Sequence, residues 1–188
     1  TSDLNGRTVA VIGLGNVGAR LAELLHAGGA ELIVADVDQS KRELAERLGA
    51  TWTDPYSAMT AEVDVLAPCA LGGVLNDDTV PALRCKAIAG AANNQLASDE
   101  LDAALAERGI LWAPDFVANA GGIINIAVEL EPDGYDTARA EERVRAIGDT
   151  VRAVLDHADA TGTTPLAAAM EIARRRVEEA ETRDPAAA

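Results

Sequence analysis

With 188 residues, 48% of them apolar, the chain has material for one well-buried domain or a domain with a helical appendage, and it needs neither disulfides nor metal to fold. Its 16 basic residues stand against 31 acidic ones, and the resulting net charge of −15 disfavours nucleic-acid backbones and anionic membranes as partners. Every apolar run falls well short of the ~20 residues of a membrane span, residues 1–6 lack a basic-then-apolar leader, and Cys69 and Cys85 form no C-x-x-C pattern, so a soluble chain in a reducing cytoplasm, without a metal site, is expected.

Taken in chain order, short apolar runs alternate with longer segments of helical period. Thr8–Ile12 predicts the first strand, and Asn16–Ala27 a helix stopped at Gly28-Gly29. Residues 32–35 predict the next strand, and 40–48 a helix capped by Ser40 and ended by Gly49. Trp52 lies in a short run, 51–53, that adds a further strand. Then come a strand at 63–67, a helix at 78–83, a strand at 87–89, a helix at 98–108 with Ser98 as cap and Gly109 as stop, and a strand at 110–113. The strand runs are nearly continuous rather than alternating, as in a parallel sheet covered on both faces by crossover helices. After Gly122 the pattern changes. Val144, Ile147, Val151, Val154 and Leu155 recur at helical spacing within 136–160, and a last helix opens at Thr164-Pro165, runs through 167–181 and ends before Asp184-Pro185. Arg174, Arg175 and Arg176 read as a solvated face near that helix's C-terminus. The expected architecture is α/β, a doubly wound, mostly parallel sheet of five or six strands over residues 1–135, with C-terminal helices in 136–188 packing on the same domain.

The chemistry concentrates in loops. Gly13-Leu14-Gly15-Asn16-Val17-Gly18 leaves a buried strand and opens a helix, the context that a dinucleotide fingerprint requires of a G-x-G-x-x-G string. In that reading Gly13 makes the tight turn, Gly15 lets a pyrophosphate approach, Gly18 lets the helix pack on the strand, and the helix N-terminus supplies amides and a positive dipole end. Asp36, eighteen residues past Gly18, closes the second strand, where a carboxylate accepts both adenosine-ribose hydroxyls and repels a 2′-phosphate, favouring NAD over NADP. The counter-reading has Lys41 and Arg42 neutralise such a phosphate.

Three further segments leave the carboxyl ends of predicted strands, where open α/β sheets bind their ligands: 67–73 with Pro68-Cys69-Ala70, 89–95 with Asn93-Asn94-Gln95, and 113–122 with Asn119-Ala120-Gly121-Gly122. Asn93, Asn94 and Asn119 either face a ligand or simply turn these loops, the commoner use of Asn. His26 and His157 sit in helices far apart in sequence, and the acidic pairs Asp77-Asp78, Glu141-Glu142 and Glu178-Glu179 are adjacent rather than on one helix face, so none marks a catalytic or metal constellation. Cys69 reads as a small buried residue or as a reactive thiol.

In this order, G-L-G-N-V-G, V-A-D-V-D, A-P-C-A-L-G, G-A-A-N-N-Q and A-P-D-F-V-A-N-A-G-G resemble, over about residues 4–181, the cofactor domain of the amino-acid dehydrogenases that oxidise leucine, valine or phenylalanine, relatives of glutamate dehydrogenase. The resemblance implies oxidative deamination of a branched-chain or aromatic L-amino acid to its 2-oxo acid and ammonia, with NAD as cofactor and a homo-oligomeric parent enzyme. Carried over by position, Gly13, Gly15 and Gly18 hold the pyrophosphate and Asp36 the adenosine ribose, with Asn16, Val17 and Val37 also at the cofactor. Cys69 and Ala70 line the nicotinamide ribose, Asn119 binds the carboxamide, and Asn93 touches the substrate carboxylate. Ile123 and Ile126, one helical turn apart, contribute to the side-chain pocket and suit a branched aliphatic substrate. The family's catalytic lysine, its second lysine and its proton-transferring aspartate lie in a preceding domain. Lys41 and Lys86, the only lysines here, match neither. The expectation is a cofactor half that meets its amino acid only with a catalytic domain, the alternative being a freestanding NAD-binding or redox-sensing module.

Overall fold

A computed structural model describes residues 4–183 of the chain. They divide between two compact units, Thr1–Asn119 and Ala120–Ala188.

The first unit is built on β1 (Thr8–Ile12), β2 (Glu31–Ala35), β3 (Thr51–Trp52), β4 (Val65–Pro68), β5 (Ala87–Ile88) and β6 (Leu111–Trp112), joined into one parallel sheet of order β3-β2-β1-β4-β5-β6. Between them run α1 (Asn16–Ala27), α2 (Arg42–Arg47), α3 (Pro55–Met59) and α4 (Glu100–Glu107), and α5 (Asp115–Ala118) follows the last strand. β1 is central and buried on both sides, which explains its unbroken apolar sequence. Val9 and Val11 join Leu14, Ala22, Leu32, Val34 and Leu44 in one core layer, while Ala10 and Ile12, also buried, point the other way. Each large side chain so buried contributes about 1.5–3 kcal/mol. The chain winds outward from β1 to β3, returns to β4 beside β1, and winds outward again to β6. Right-handed connections in opposite directions place their helices on opposite faces and leave a switch point between the carboxyl ends of β1 and β4.

Several expectations need correction. The helix expected at 78–83 is only a 3-10 turn, Val80–Ala82, because the Asn76 side chain takes the amides of Asp78 and Thr79 and Pro81 has none to offer. Ser40 is not the cap before α2. The Asp38 carboxylate accepts the Ser40 amide and starts a 3-10 turn, Gln39–Lys41, that runs into the helix. Nor does Ser98 cap α4, since it hydrogen-bonds the Glu100 carboxylate. Two short helices were not expected, although Asp54-Pro55 signals the first: Asp54 accepts the Ser57 amide and Pro55 occupies the first turn.

The second unit holds α6 (Gly121–Glu129), α7 (Thr137–Arg145), α8 (Ile147–Thr161) and α9 (Pro165–Arg183). The single helix expected over 136–160 is two, α7 and α8, which meet at Ala146 beside Gly148, the weakest helix former of the segment. α6 packs against α7, which is why the division falls after Asn119 rather than at the expected 135/136. α8 ends in a left-handed glycine, Gly162 at φ 66°, and pairs with α9, across which His157 Nε2 meets Glu171 at 3.1 Å. Thr164 accepts the Ala167 amide as the expected cap, and Arg174, Arg175 and Arg176 are solvent-exposed. The expected stop at Asp184-Pro185 lies outside the described residues.

Candidate functional site

The loop after β1 is shaped by its glycines. Gly13 takes φ +96°, and a Cβ there would sit 2.7 Å from Ala70 Cβ. At Gly18 a Cβ would lie 1.9 Å from the Gly13 carbonyl oxygen and 3.0 Å from Cys69 Cβ, so only glycine lets α1 come this close to the strand. Gly15 is the opposite case, with nothing within 4 Å of where a Cβ would be. It is also the N-cap of α1, with no capping side chain and no acid in the first turn, whereas α3 and α7 are each capped by an aspartate. The amides of that turn therefore present the positive end of a twelve-residue helix to open space flanked by exposed Asn16 and Val17, an arrangement suited to an anion.

Asp36 anchors this loop from the end of β2. One carboxylate oxygen accepts the Leu14 amide at 2.5 Å and the other the Asp38 amide at 2.8 Å. Each oxygen keeps a second lone pair, so a diol can still be bound by a carboxylate whose position the two amides fix. Val37 beside it is 86% exposed. Of the two cations considered for a 2′-phosphate, Arg42 stacks over the Trp52 ring, 5.9 Å from its centroid, and Lys41 sits at the N-cap position of α2 without a side-chain capping bond.

Across the switch point the loop after β4 is held by the Cys69 amide bonding the Ile12 carbonyl at 2.7 Å. Cys69 is half-buried with its Cβ close against Gly18, and burial pushes its thiol pKa up, which disfavours the thiolate. Cys85, buried, is pushed the same way. The loops after β4 and β5 are laced together: Gly73 donates to the Asn94 carbonyl at 2.7 Å, Leu75 to that of Gln95 at 3.0 Å, and Ala97 to that of Leu75 at 2.9 Å. Asn94 takes φ 51° and is a turn residue. Asn93 and Asn119 are not merely that: Asn119 Nδ2 donates to Asn93 Oδ1 at 2.6 Å, so side chains 26 residues apart meet at the carboxyl edge of the sheet.

The residues that organise this edge were quoted within the sequence segments but given no role there. Gln95, Trp112 and Asp115 are buried, Gln95 is hydrogen-bonded to each of the other two, and Asp115, a carboxylate inside the apolar stretch 113–118, is the signal that was available. Ile123 and Ile126 belong to the second unit, on α6, where they are 71% and 56% exposed. Lys86 forms an ion pair with Asp64 at 2.6 Å, at the amino end of the sheet and away from all these loops. Among the described residues no group of three or more His, Cys, Asp or Glu side chains gathers to hold a metal, and no helix is long and apolar enough to cross a membrane.

A six-stranded parallel sheet wound in both directions from its first strand, with a glycine loop and an acid at the second strand's end, defines a Rossmann-type α/β fold. The pattern of the glutamate/leucine/phenylalanine/valine dehydrogenases matches residues 34–184, and the chain belongs to that family. It is 44% identical to leucine dehydrogenase of Bacillus cereus over 178 residues, 94% of this chain and 48% of that protein. It is 45% identical to valine dehydrogenase of Streptomyces albus over 185 residues, 96% of this chain and 50% of that protein. The crystal structure of L-tryptophan dehydrogenase from Nostoc punctiforme superposes with a TM-score of 0.92 at 43% identity, covering 97% of this chain and 55% of that one. A hetero-hexameric glutamate dehydrogenase from Thermus thermophilus gives 0.73 at 26% identity, over 95% of this chain and 47% of that one. The chain thus spans about half the length of the curated relatives it matches.

Proposed function

We propose that this chain is the NAD-binding part of an amino-acid dehydrogenase that oxidatively deaminates an L-amino acid with an apolar side chain. The observation that carries the reading is the uncapped, acid-free start of α1 behind an unobstructed Gly15, with Asp36 fixed beside it by the Leu14 amide. The α1 amides hold the pyrophosphate charge, Asp36 accepts the adenosine-ribose hydroxyls, and Val17 and Val37 offer apolar surface alongside. Bound NAD supplies the acceptor for the hydride that leaves the amino acid's α-carbon. Asn119 orients the carboxamide and Asn93 the substrate carboxylate, and Ala70 lines the nicotinamide ribose beside Cys69. A redox-sensing module has no use for a paired Asn93 and Asn119, which favours the dehydrogenase.

Leucine, valine and L-tryptophan dehydrogenases among the relatives support an apolar substrate, and Ile123 and Ile126 favour a branched aliphatic one within that class. Assembly into an oligomer is supported by the hetero-hexameric relative. Calorimetric titration of the 188-residue chain with NADH and NADPH tests the cofactor reading: saturable binding that prefers NADH is expected, and a chain that binds neither overturns it.

A further inference from the structure

Gln95 is completely buried, and both its backbone and its side-chain polar groups are engaged. Its amide N–H donates to Asp115 Oδ2 at 2.7 Å, and its carbonyl accepts from Leu75 at 3.0 Å. Its side-chain Nε2 donates to the carbonyls of Gly90 and Ala92, both at 3.1 Å, and its Oε1 accepts from Trp112 Nε1 at 3.2 Å. One residue therefore joins the loops that leave β4, β5 and β6. A glutamine at zero exposure is an expensive way to fill a core, since burying an amide costs free energy that its hydrogen bonds roughly recover and a leucine would not incur. What the bonds add is geometry. Nε2 folds 90–95 around itself, and the peptide thus enclosed carries Asn93, whose carbonyl lies so close to the Gly72 backbone that a Cβ there would come within 2.7 Å of it. Asp115 continues the linkage: its second oxygen accepts the Phe116 amide at 2.7 Å, and its carbonyl accepts from the Asn119 amide at 2.8 Å across α5. The ends of this chain of bonds are Asn93 and Asn119, 2.6 Å apart.

We propose that Gln95, locked by Asp115 and Trp112, is a positioning residue that, through the Asn93–Asn119 amide pair, sets Asn119 for the nicotinamide end of the cofactor. The proposal rests on the cofactor reading above and adds to it a division of labour. The glycine loop and Asp36 hold the adenosine and pyrophosphate, and the Gln95 network governs the nicotinamide alone. ADP-ribose carries the first part without the second, so the two ligands separate a positioning role from a general folding role.

The test titrates the 188-residue chain with NADH and with ADP-ribose, as wild type, as Gln95→Glu, which keeps an acceptor for Trp112 but removes the Nε2 donors, and as Trp112→Phe, which removes only the indole N–H. Wild type binds NADH more tightly than ADP-ribose. In Gln95→Glu the NADH affinity falls about tenfold while that for ADP-ribose stays within about twofold, and Trp112→Phe shifts in the same direction by about threefold. In Gln95→Glu the emission of Trp112 moves as well, because its partner becomes an acid. Parallel loss of both ligands, unchanged affinity for both, or failure of both variants to fold assigns Gln95 to stability alone and overturns the proposal, as does a wild type that binds the two ligands equally. A wild type that binds neither overturns the cofactor reading itself.

Discussion

Gly15 and Gly18 stand three residues apart in one loop and answer to different constraints. At Gly18 the room for a methyl group is already taken by the Gly13 carbonyl, so Gly18→Ala has to push α1 off the sheet. Overpacking costs about 1–3 kcal/mol, and at this chain length the melting temperature should fall by roughly 2–12 °C. Gly15→Ala meets nothing and keeps an extended backbone that alanine readily adopts, at φ −65° and ψ −167°, so it should melt close to wild type and, on the proposed placement of the pyrophosphate, lose NADH to the added methyl. Differential scanning calorimetry and NADH titration of both variants check the pair; a Gly15→Ala chain that binds as wild type would remove Gly15 from the site. Asp36→Ser removes two charge-assisted contacts and should weaken NADH by roughly ten- to a hundredfold, about 1.5–3 kcal/mol, while narrowing the preference over NADPH. The loop also loses its Leu14 anchor. For that reason Asp36→Asn, which keeps one acceptor oxygen, should retain more of the affinity than serine does, and an unchanged NADH-to-NADPH ratio in both would sink the ribose assignment.

At the scale of elements, Asp64 pins the amino ends of three strands. Its carboxylate accepts the Thr8 amide at 3.1 Å and Lys86 Nζ at 2.6 Å, with Arg7 at 3.6 Å. The Lys86 hydrogen bond first, then the Thr8 amide, hold its pKa below the ordinary 3.8. A depressed folded pKa stabilises above the unfolded value and ceases to do so as pH falls through the folded one. Asp64→Asn should accordingly lower the melting temperature by a constant amount between about pH 5 and 8, and the gap should close below about pH 4. A gap independent of pH down to acid unfolding would show that the carboxylate's charge is not what matters. Strands were the most legible elements. β1 matches its expected bounds, and the other runs shift by a residue or two at their ends, because a doubly buried strand leaves a continuous apolar run that few other structures produce. Helix ends were harder to read wherever a side chain outcompeted the helix for amides, as Asn76 and Asp38 do. That Gly13, Gly15, Gly18 and Asp36 gather at one place was legible because they lie at the ends of the adjacent first two strands. The meeting of Asn93 with Asn119, and Gln95 between β4, β5 and β6, depend on strand order, which no local pattern records.

Over the whole molecule, the lysines separate binding from turnover. Lys86 is committed to Asp64 at the amino end of the sheet, and Lys41 lies in the turn after β2, on the other side of β1 from the loops after β4, β5 and β6, so neither stands beside Asn93 and Asn119, where the proposed substrate's α-amino group would be deprotonated. The 188-residue chain should therefore bind NADH, seen as quenching of Trp52 and Trp112 emission, and oxidise no leucine. General acid–base catalysis is worth about 10²–10⁴-fold, and orientation of substrate between catalytic groups is worth more. Leucine-dependent NADH formation by the pure chain would overturn this. Joined to a substrate-binding partner domain, the chain should give a higher kcat/KM for leucine than for phenylalanine if Ile123 and Ile126 narrow the pocket. The reverse order would return those side chains to a packing role.

The sheet's two margins have a consequence of a different kind. β3 and β6 are each two residues long, so each rim of a six-stranded sheet exposes only about 7 Å of backbone to a foreign strand. A flat, extended rim is a template for fibre growth, and rims this short offer almost none. Crowded at high concentration, or assembled with copies of itself, this chain has to meet its neighbours through helices and loops, and strand-to-strand annealing is closed to it without first unravelling the outermost crossovers.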